Sequence, residues 1–291
     1  MMTIQQRYLE LIKSAILNEL YPELEAQLLY TVLCAAHQQP VQLDLFWQAR
    51  TDASLRDAVA RAKQYGETIH LRLAPGHVRR DQPDLRNYTE YAHSMVGRRR
   101  LDHLQHCVEQ ILSEGIPGDL LEAGVWRGGC CLLMRAVLAA HDIHDRVVWA
   151  ADSFAGVPTS SHAMDLAYPL DASVLPVLSV DQATVTDIMR RYGLLDEQIR
   201  LLPGWFEQSL PDAGIGQLAL LRIDADLYSS TNAVLQALYD KLQPGGWVII
   251  DDYGILPPCR QAVDAFRQQH SISIPLQKID DHAVAWRKAA P

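Results

Sequence analysis

The sequence predicts an α/β fold: a mostly parallel, doubly wound sheet of seven strands with an antiparallel C-terminal edge hairpin, preceded by a helical N-terminal extension. Two observations predict the sheet. From Asp119 onward, short apolar runs alternate with segments of helical period, the pattern of consecutive βαβ units. The run WVII before Asp251 is continuously apolar, as a strand buried on both faces should be. A third observation predicts the extension: Tyr8, Leu11, Ile12, Ile16 and Leu20 recur at helical spacing.

The elements follow in order. Residues 1–90 are expected to be the helical extension, packed on a catalytic domain spanning 91–291. LEAQLLYTVLCAAH and SLRDAVARAKQYG continue the helical style up to about Leu73, and APGHVRRDQPDL has the Pro, Gly and charge of an exposed loop. Leu101, Leu104, Val108 and Ile111 then share one face of a further helix. DLLEAGV, RVVWAADSF, IRLLPGWF, LALLRIDADLY and WVIIDDYG read as five parallel strands. Between them lie the helices CCLLMRAVLAAH, VDQATVTDIMRRYG and SSTNAVLQALYDKLQPGG. In the last of these, serines stand where an N-cap belongs and Gly245-Gly246 where the helix should stop. The helix CRQAVDAFRQQH precedes two strands, IPLQKID and AVAWRK, with Asp280, Asp281 and His282 as their turn.

With 291 residues, 48% of them hydrophobic and 21% charged, the chain can bury a sizeable core. Its net charge of -9 repels phosphate backbones and anionic membranes, so a small-molecule partner is expected, with no nucleic acid and no membrane. Arg98, Arg99 and Arg100 read as a solvated face. The five cysteines, Cys34, Cys107, Cys130, Cys131 and Cys259, form no CxxC or Cys/His ligand pattern. Buried thiols in a reducing cytoplasm are expected. The N-terminal MMTIQQRYLELIKSAILNEL carries polar groups throughout, unlike a signal peptide.

In open α/β sheets ligands bind beyond the carboxyl ends of the strands. The first strand here ends in Glu122-Ala123-Gly124-Val125-Trp126-Arg127-Gly128-Gly129. Gly124 suits a tight turn, and Gly128 and Gly129 let backbone approach a ligand at the N-terminus of the next helix. Exposed N–H groups there favour an anion such as the carboxylate of an amino-acid-bearing cofactor. The spacing is not GxGxxG, which argues against a dinucleotide. The second strand ends in Asp152-Ser153, a carboxylate placed to accept ribose hydroxyls. Together the two motifs point to an adenosine-containing cofactor. Asp224 and Asp226 end a later strand, and Asp251 and Asp252 the next. If those strands are neighbours, several carboxylates converge and repel, which a hard divalent cation such as magnesium would relieve.

EAGVWRGG, DSFAGVP, PGWFEQSLP, IDADLYSST, GGWVIIDDYG and IDDHAVAWRK, in this order, resemble the macrocin O-methyltransferase (TylF-like) family. The likeness extends to HSMVGRRRLDHLQ and RYLELIKSAILNELY, and so over nearly the whole chain. It implies a class I (Rossmann-like) methyltransferase fold and S-adenosyl-L-methionine as cofactor. It also implies Mg2+ or another hard divalent cation, a sugar hydroxyl of a glycosylated natural product as acceptor, and a homodimer. Carried over by residue, Ser94 and Met95 would line the cofactor. Glu122, Ala123, Gly124, Val125 and Trp126, with Asp152, Ser153, Phe154 and Gly156, would hold its methionine and ribose portions. Gly204, Trp205 and Phe206 would lie near the adenosine, Asp224, Asp251 and Asp252 would ligate the metal, and Asp226 would be the general base. His103 stands where an asparagine is usual, and Asp281-His282 departs from the family pattern in a loop that would face the acceptor.

The chemistry agrees with this assignment. The methyl sulfonium is already activated, so the enzyme's main task is alignment. A sugar hydroxyl ionises far above neutral pH, and general-base assistance alone supplies ~10²–10⁴ in rate, hence the need for a metal. Residues 153–176 form a long loop with the makings of a lid. His93, His162 and His282 read as structural histidines before acceptor contacts. Rival readings are a catechol-type metal-dependent O-methyltransferase, a non-catalytic cofactor-binding partner protein, and a metal-dependent hydrolase. The hydrolase leaves Glu122 and Asp152 unexplained.

Overall fold

The structure, a computed structural model, describes residues 2–21, 24, 27, 30–31, 34–35, 37–51 and 92–289. SLRDAVARAKQYG, APGHVRRDQPDL and part of LEAQLLYTVLCAAH lie outside the described residues. The chain groups into two compact units, one of Met1–Leu9 with Arg100–Pro291 and one of Glu10–Arg99.

Helix α1 (Ile4–Ile16) begins in the first unit and runs into the second. Its buried face is Leu9, Ile12 and Ile16, whereas Leu11 and Leu20, expected on that face, are exposed. Leu9, Ile12 and Ile16 keep the i, i+3, i+7 stripe; Lys13 joins it, buried and paired with Glu10 at 2.6 Å. In the second unit Arg98 binds Glu10, Ser14 and Glu19, and the His93 N–H donates to the Ile16 carbonyl. Helix α2 spans Leu43–Thr51.

The larger unit carries a seven-stranded sheet: β1 (Asp119–Ala123), β2 (Val148–Asp152), β3 (Ile199–Pro203), β4 (Leu218–Ile223), β5 (Leu242–Ile250), β6 (Gln277–Lys278) and β7 (Val284–Arg287). Their order is β3-β2-β1-β4-β5-β7-β6. The first five pair in parallel and the last two antiparallel, as the sequence predicts. Chain order reverses between β1 and β4, the switch point at which such sheets bind ligands. Helix α3 (Arg98–Ser113) buries Leu101, Leu104, Cys107, Val108 and Ile111. Helices α4 (Gly129–Ala140), α5 (Gln182–Arg191), α6 (Phe206–Ser209), α7 (Tyr228–Leu238) and α8 (Pro257–Gln269) link the strands. One core joins β1, β2, β4 and β5 to α7 and α8 through Leu121, Ala151, Leu221, Val234, Val248 and Phe266. The five cysteines are free and buried, as expected.

Two expected helix signals lie elsewhere. Helix α7 is not capped by its serines: Leu227 holds the N-cap position, and the capping oxygens come from Asp165, far back in the chain. Gly245-Gly246 does not end that helix either. It stops at Leu238, a short 3-10 turn follows, and the glycines lie inside β5. Close packing explains the second case, since a side chain on Gly246 would meet the Ala219 carbonyl of β4 at 2.7 Å.

Candidate active site

Four backbone hydrogen bonds continue the parallel ladders just past the strand ends. Gly204 N–H donates to Asp152 O (2.9 Å), Gly124 to Ala151 O (2.9 Å), Asp224 to Ala123 O (2.8 Å) and Asp251 to Ile223 O (2.9 Å). The motifs that stand far apart in the sequence are thereby laid side by side along one edge.

The glycine turn leaves β1 through Gly124, whose φ is +88°. A Cβ there would lie 1.7 Å from the Asp224 carbonyl oxygen, so the turn and the acidic strand touch backbone to backbone. Val125 and Trp126 donate their N–H groups to Asp152 Oδ2 at 2.6 and 3.3 Å, and Phe154 N–H donates to Oδ1 at 2.8 Å. Asp152 therefore ties the first motif to the second. Ser153 Oγ donates to Gly156 O at 2.7 Å and tightens that loop. The Trp126 indole donates to Val177 O at 2.9 Å, and Arg127 stacks on its ring. Trp205 precedes the single turn of α6, where Ser209 Oγ donates to the Gly204 and Trp205 carbonyls.

Glu122, near the end of β1, is buried. It is 2% exposed, with Oε1 on Arg222 (2.6 Å) and Oε2 accepting from Cys131 Sγ (2.8 Å). Burial, opposed by Arg222, pushes its carboxyl up to about 7. Ser94 lies in the smaller unit, buried, and its Oγ accepts from Val96 N–H; Met95 follows it there.

The four aspartates divide into two environments. Asp251 is held between arginines, with Arg222 Nη2 on Oδ1 and Arg100 Nη1 on Oδ2, both at 2.6 Å. Burial works to raise its carboxyl, yet Arg100 and Arg222 outweigh it and hold it below the ordinary value. Asp224, Asp226 and Asp252 instead bring one oxygen each within 4.8 Å of the others. Asp224 shares Arg222 Nη1 at 3.0 Å. For Asp226, burial and then the charge of Asp224 push the carboxyl up to about 7. Asp252 is raised well above the usual range, by burial and by Asp226 and Asp224. Its Oδ2 is buried and finds no hydrogen-bond partner among the described residues. A buried carboxylate oxygen without a donor, in an all-oxygen cluster with a surplus of negative charge, is the donor set a hard divalent cation takes. The residues fit such an ion.

Two functional residues escaped the sequence reading. Arg222 is a buried cation inside a strand that is otherwise apolar. The LLRID pattern held the signal, an arginine at a core position that demands carboxylate partners. Arg100 was expected in solvent with its neighbours. It is 11% exposed, pairs with Asp251, and meets Asp280 at 3.0 Å. It stands four residues before Leu104, on the inward side of α3, which the RRR triplet disguises. The hairpin turn is drawn toward this group, since Asp280 also accepts from His282 and Ala283 N–H.

The profile of the family described as Macrocin-O-methyltransferase (TylF) matches residues 5–288. The mycinamicin III 3''-O-methyltransferase of Micromonospora griseorubida is 49% identical over 208 residues, 70% of this chain and 82% of that one. The 8-demethyl-8-(2,3-dimethoxy-alpha-L-rhamnosyl)-tetracenomycin-C 4'-O-methyltransferase of Streptomyces olivaceus is 47% identical over 252 residues, 85% of this chain and 92% of that one. The solved structure of the O-methyltransferase NovP superposes with a TM-score of 0.67 at 48% identity, covering 68% of this chain and 83% of that one. Among the described residues no helix is long and apolar enough to cross a membrane.

Proposed function

We propose, because the chain belongs to the macrocin O-methyltransferase family and is an O-methyltransferase, that it methylates a sugar hydroxyl of a glycosylated natural product. The donor is S-adenosylmethionine and the helper a divalent cation, magnesium. The observation that carries this reading is the direct contact of the glycine turn at Gly124 with Asp224. It sets a cofactor-binding motif against a carboxylate cluster with too few cations of its own.

S-adenosylmethionine supplies a methyl group already activated on sulfur. Ala123 to Trp126 and Asp152 to Gly156 would hold its methionine and ribose portions, with Gly204, Trp205 and Phe206 near the adenosine. Glu122 would belong to the methionine side of this set, its carboxylate also fixing Arg222. A divalent cation supplies positive charge that favours the ionised hydroxyl; Asp224 and Asp252 of the converging cluster would hold it, with Asp251 as third ligand on the family pattern, where it would give up one of its bonds to Arg100 or Arg222. Among the described residues Asp226 has no arginine partner, and a carboxyl pushed up to about 7 is a far better proton acceptor than an ordinary one. A cation bound nearby would lower that value, so the base and the metal site must be balanced against each other. Assembly as a homodimer rests on the family, and a cytoplasmic location on the five buried free thiols.

The test is methyl transfer by the purified full chain to mycinamicin III and to the rhamnosylated tetracenomycin named above, with catechol as control. The reading expects one methyl group added to a glycoside, none to catechol, and loss of turnover on chelation. Methylation of catechol alone would overturn the sugar assignment. Undiminished turnover after chelation would overturn the metal.

A further inference from the structure

Asp226 occupies a strained backbone position. Its φ is 57°, and Leu227 N–H reaches back to the Ala225 carbonyl at 2.6 Å, closing a three-residue turn around it. A non-glycine residue stays in such a conformation only when its surroundings over-determine it. Upstream, the Asp224 N–H is fixed to β1. Downstream, α7 begins at Tyr228 with an N-cap residue, Leu227, that has no side-chain acceptor.

The missing cap comes from the long loop after β2. Asp165, 3% exposed, accepts from Tyr228 N–H (2.7 Å), Ser229 N–H (3.2 Å), Ser229 Oγ (2.8 Å) and Ser160 Oγ (2.7 Å). Burial works to raise its carboxyl, yet these hydrogen bonds hold it below the ordinary value, so it is an anion at the positive end of a helix. Three residues earlier, the His162 ring stacks on Tyr228 at 4.4 Å and 5°. Just beyond the loop, the Val177 carbonyl accepts from the Trp126 indole of the glycine turn.

We infer that Asp165 is a positioning residue for Asp226: it fastens the loop of residues 153–176 to the start of α7 and so fixes where the base carboxylate stands. This rests on the reading of Asp226 as the base. It goes further in making the loop and the base one mechanical unit. A loop that settles on the acceptor then sets the base at the same time, through two hydrogen bonds to backbone.

The experiment compares full-length wild type with Asp165→Ala, Asp165→Asn, Asp226→Asn and the Asp165→Ala/Asp226→Asn double variant. Asp165→Ala is expected to lower kcat about 10²-fold, the scale of an ångström's misplacement, with the acceptor KM and the calorimetric affinity for S-adenosylhomocysteine unchanged. Asp165→Asn keeps one acceptor oxygen and should recover most of the loss. In the double variant the Asp165 change should cost nothing beyond Asp226→Asn. Hydrogen exchange at the Leu227, Tyr228 and Ser229 amides should quicken in Asp165→Ala. A kcat within twofold of wild type, losses that multiply in the double variant, or unchanged exchange at those amides overturns the inference while the base reading stands. Full activity of Asp226→Asn overturns the base reading and this inference with it.

Discussion

Arg222 of β4 donates from Nη2 to Oδ1 of Asp251, the residue just past β5, at 2.6 Å, with the two side chains 3% and 7% exposed. The same guanidinium reaches Glu122 at 2.6 Å and Asp224 at 3.0 Å. One buried cation thus holds the ends of three adjacent strands, directly beneath the cluster proposed to do the chemistry. Removing one partner of a buried ion pair leaves the others uncompensated, which is costlier than the pair is worth. Arg222→Met is therefore expected to lose about 3–5 kcal/mol of stability. Urea denaturation measures it; a midpoint equal to that of wild type would show the network to be dispensable.

Asp226→Asn keeps the volume of the side chain and removes the proton acceptor. Since Asp226 makes no ion pair with Arg100 or Arg222, the fold should tolerate the change. Binding of S-adenosylhomocysteine by calorimetry should be retained, and turnover should fall ~10²–10⁴-fold, the range general-base assistance supplies. Turnover within a few-fold of wild type would remove Asp226 from the mechanism.

The difference between these two residues also marks what the sequence could convey. Strand order and the antiparallel edge were legible because burial on both faces and βα alternation leave a one-dimensional trace. The convergence of Asp224 with Asp251 followed from strand adjacency, since both stand at the first position past their strands. What stayed hidden was charge pairing at a distance. Arg222 pairs with Asp251 and Asp224 rather than with Asp226 or Asp252, and no spacing encodes that choice. Asp165 caps a helix more than sixty residues ahead of it, while the serines that resembled a cap lie inside the helix. Local capping rules found the right place and the wrong donor, because a tertiary contact supplied the oxygen.

The orphaned Oδ2 of Asp252 permits a test of metal binding that needs no acceptor. Burial and three neighbouring aspartates raise this carboxyl well above its ordinary value, so its charged form is disfavoured in metal-free protein and an isosteric amide removes repulsion rather than a favourable pairing. Asp252→Asn should then leave the melting temperature of chelated protein nearly unchanged. Magnesium at a hundredfold over Kd should stabilise wild type by roughly 2.7 kcal/mol and so raise its melting temperature. In Asp252→Asn that rise should vanish. An equal rise in both proteins would move the metal elsewhere.

His103 sets a pH dependence of stability separate from catalysis. It packs edge-on against Trp247 at 5.8 Å and meets Cys107 Sγ at 3.5 Å. Burial, and then the charge of His106, pull its pKa down to about 4, against about 6.5 in an unfolded chain. Between those values the unfolded state binds the extra proton, so stability rises with pH across this window and falls on acidification. Glu122 and Asp226, both pushed up to about 7, act with the opposite sign, because there the folded state holds the extra proton. The His103 contribution must therefore be read as a difference between proteins. His103→Gln cannot titrate, and its stability relative to wild type should improve steadily from pH 7 to pH 4.5. Denaturant midpoints for the two proteins that run parallel over that range would show that His103 takes up its proton as readily folded as unfolded.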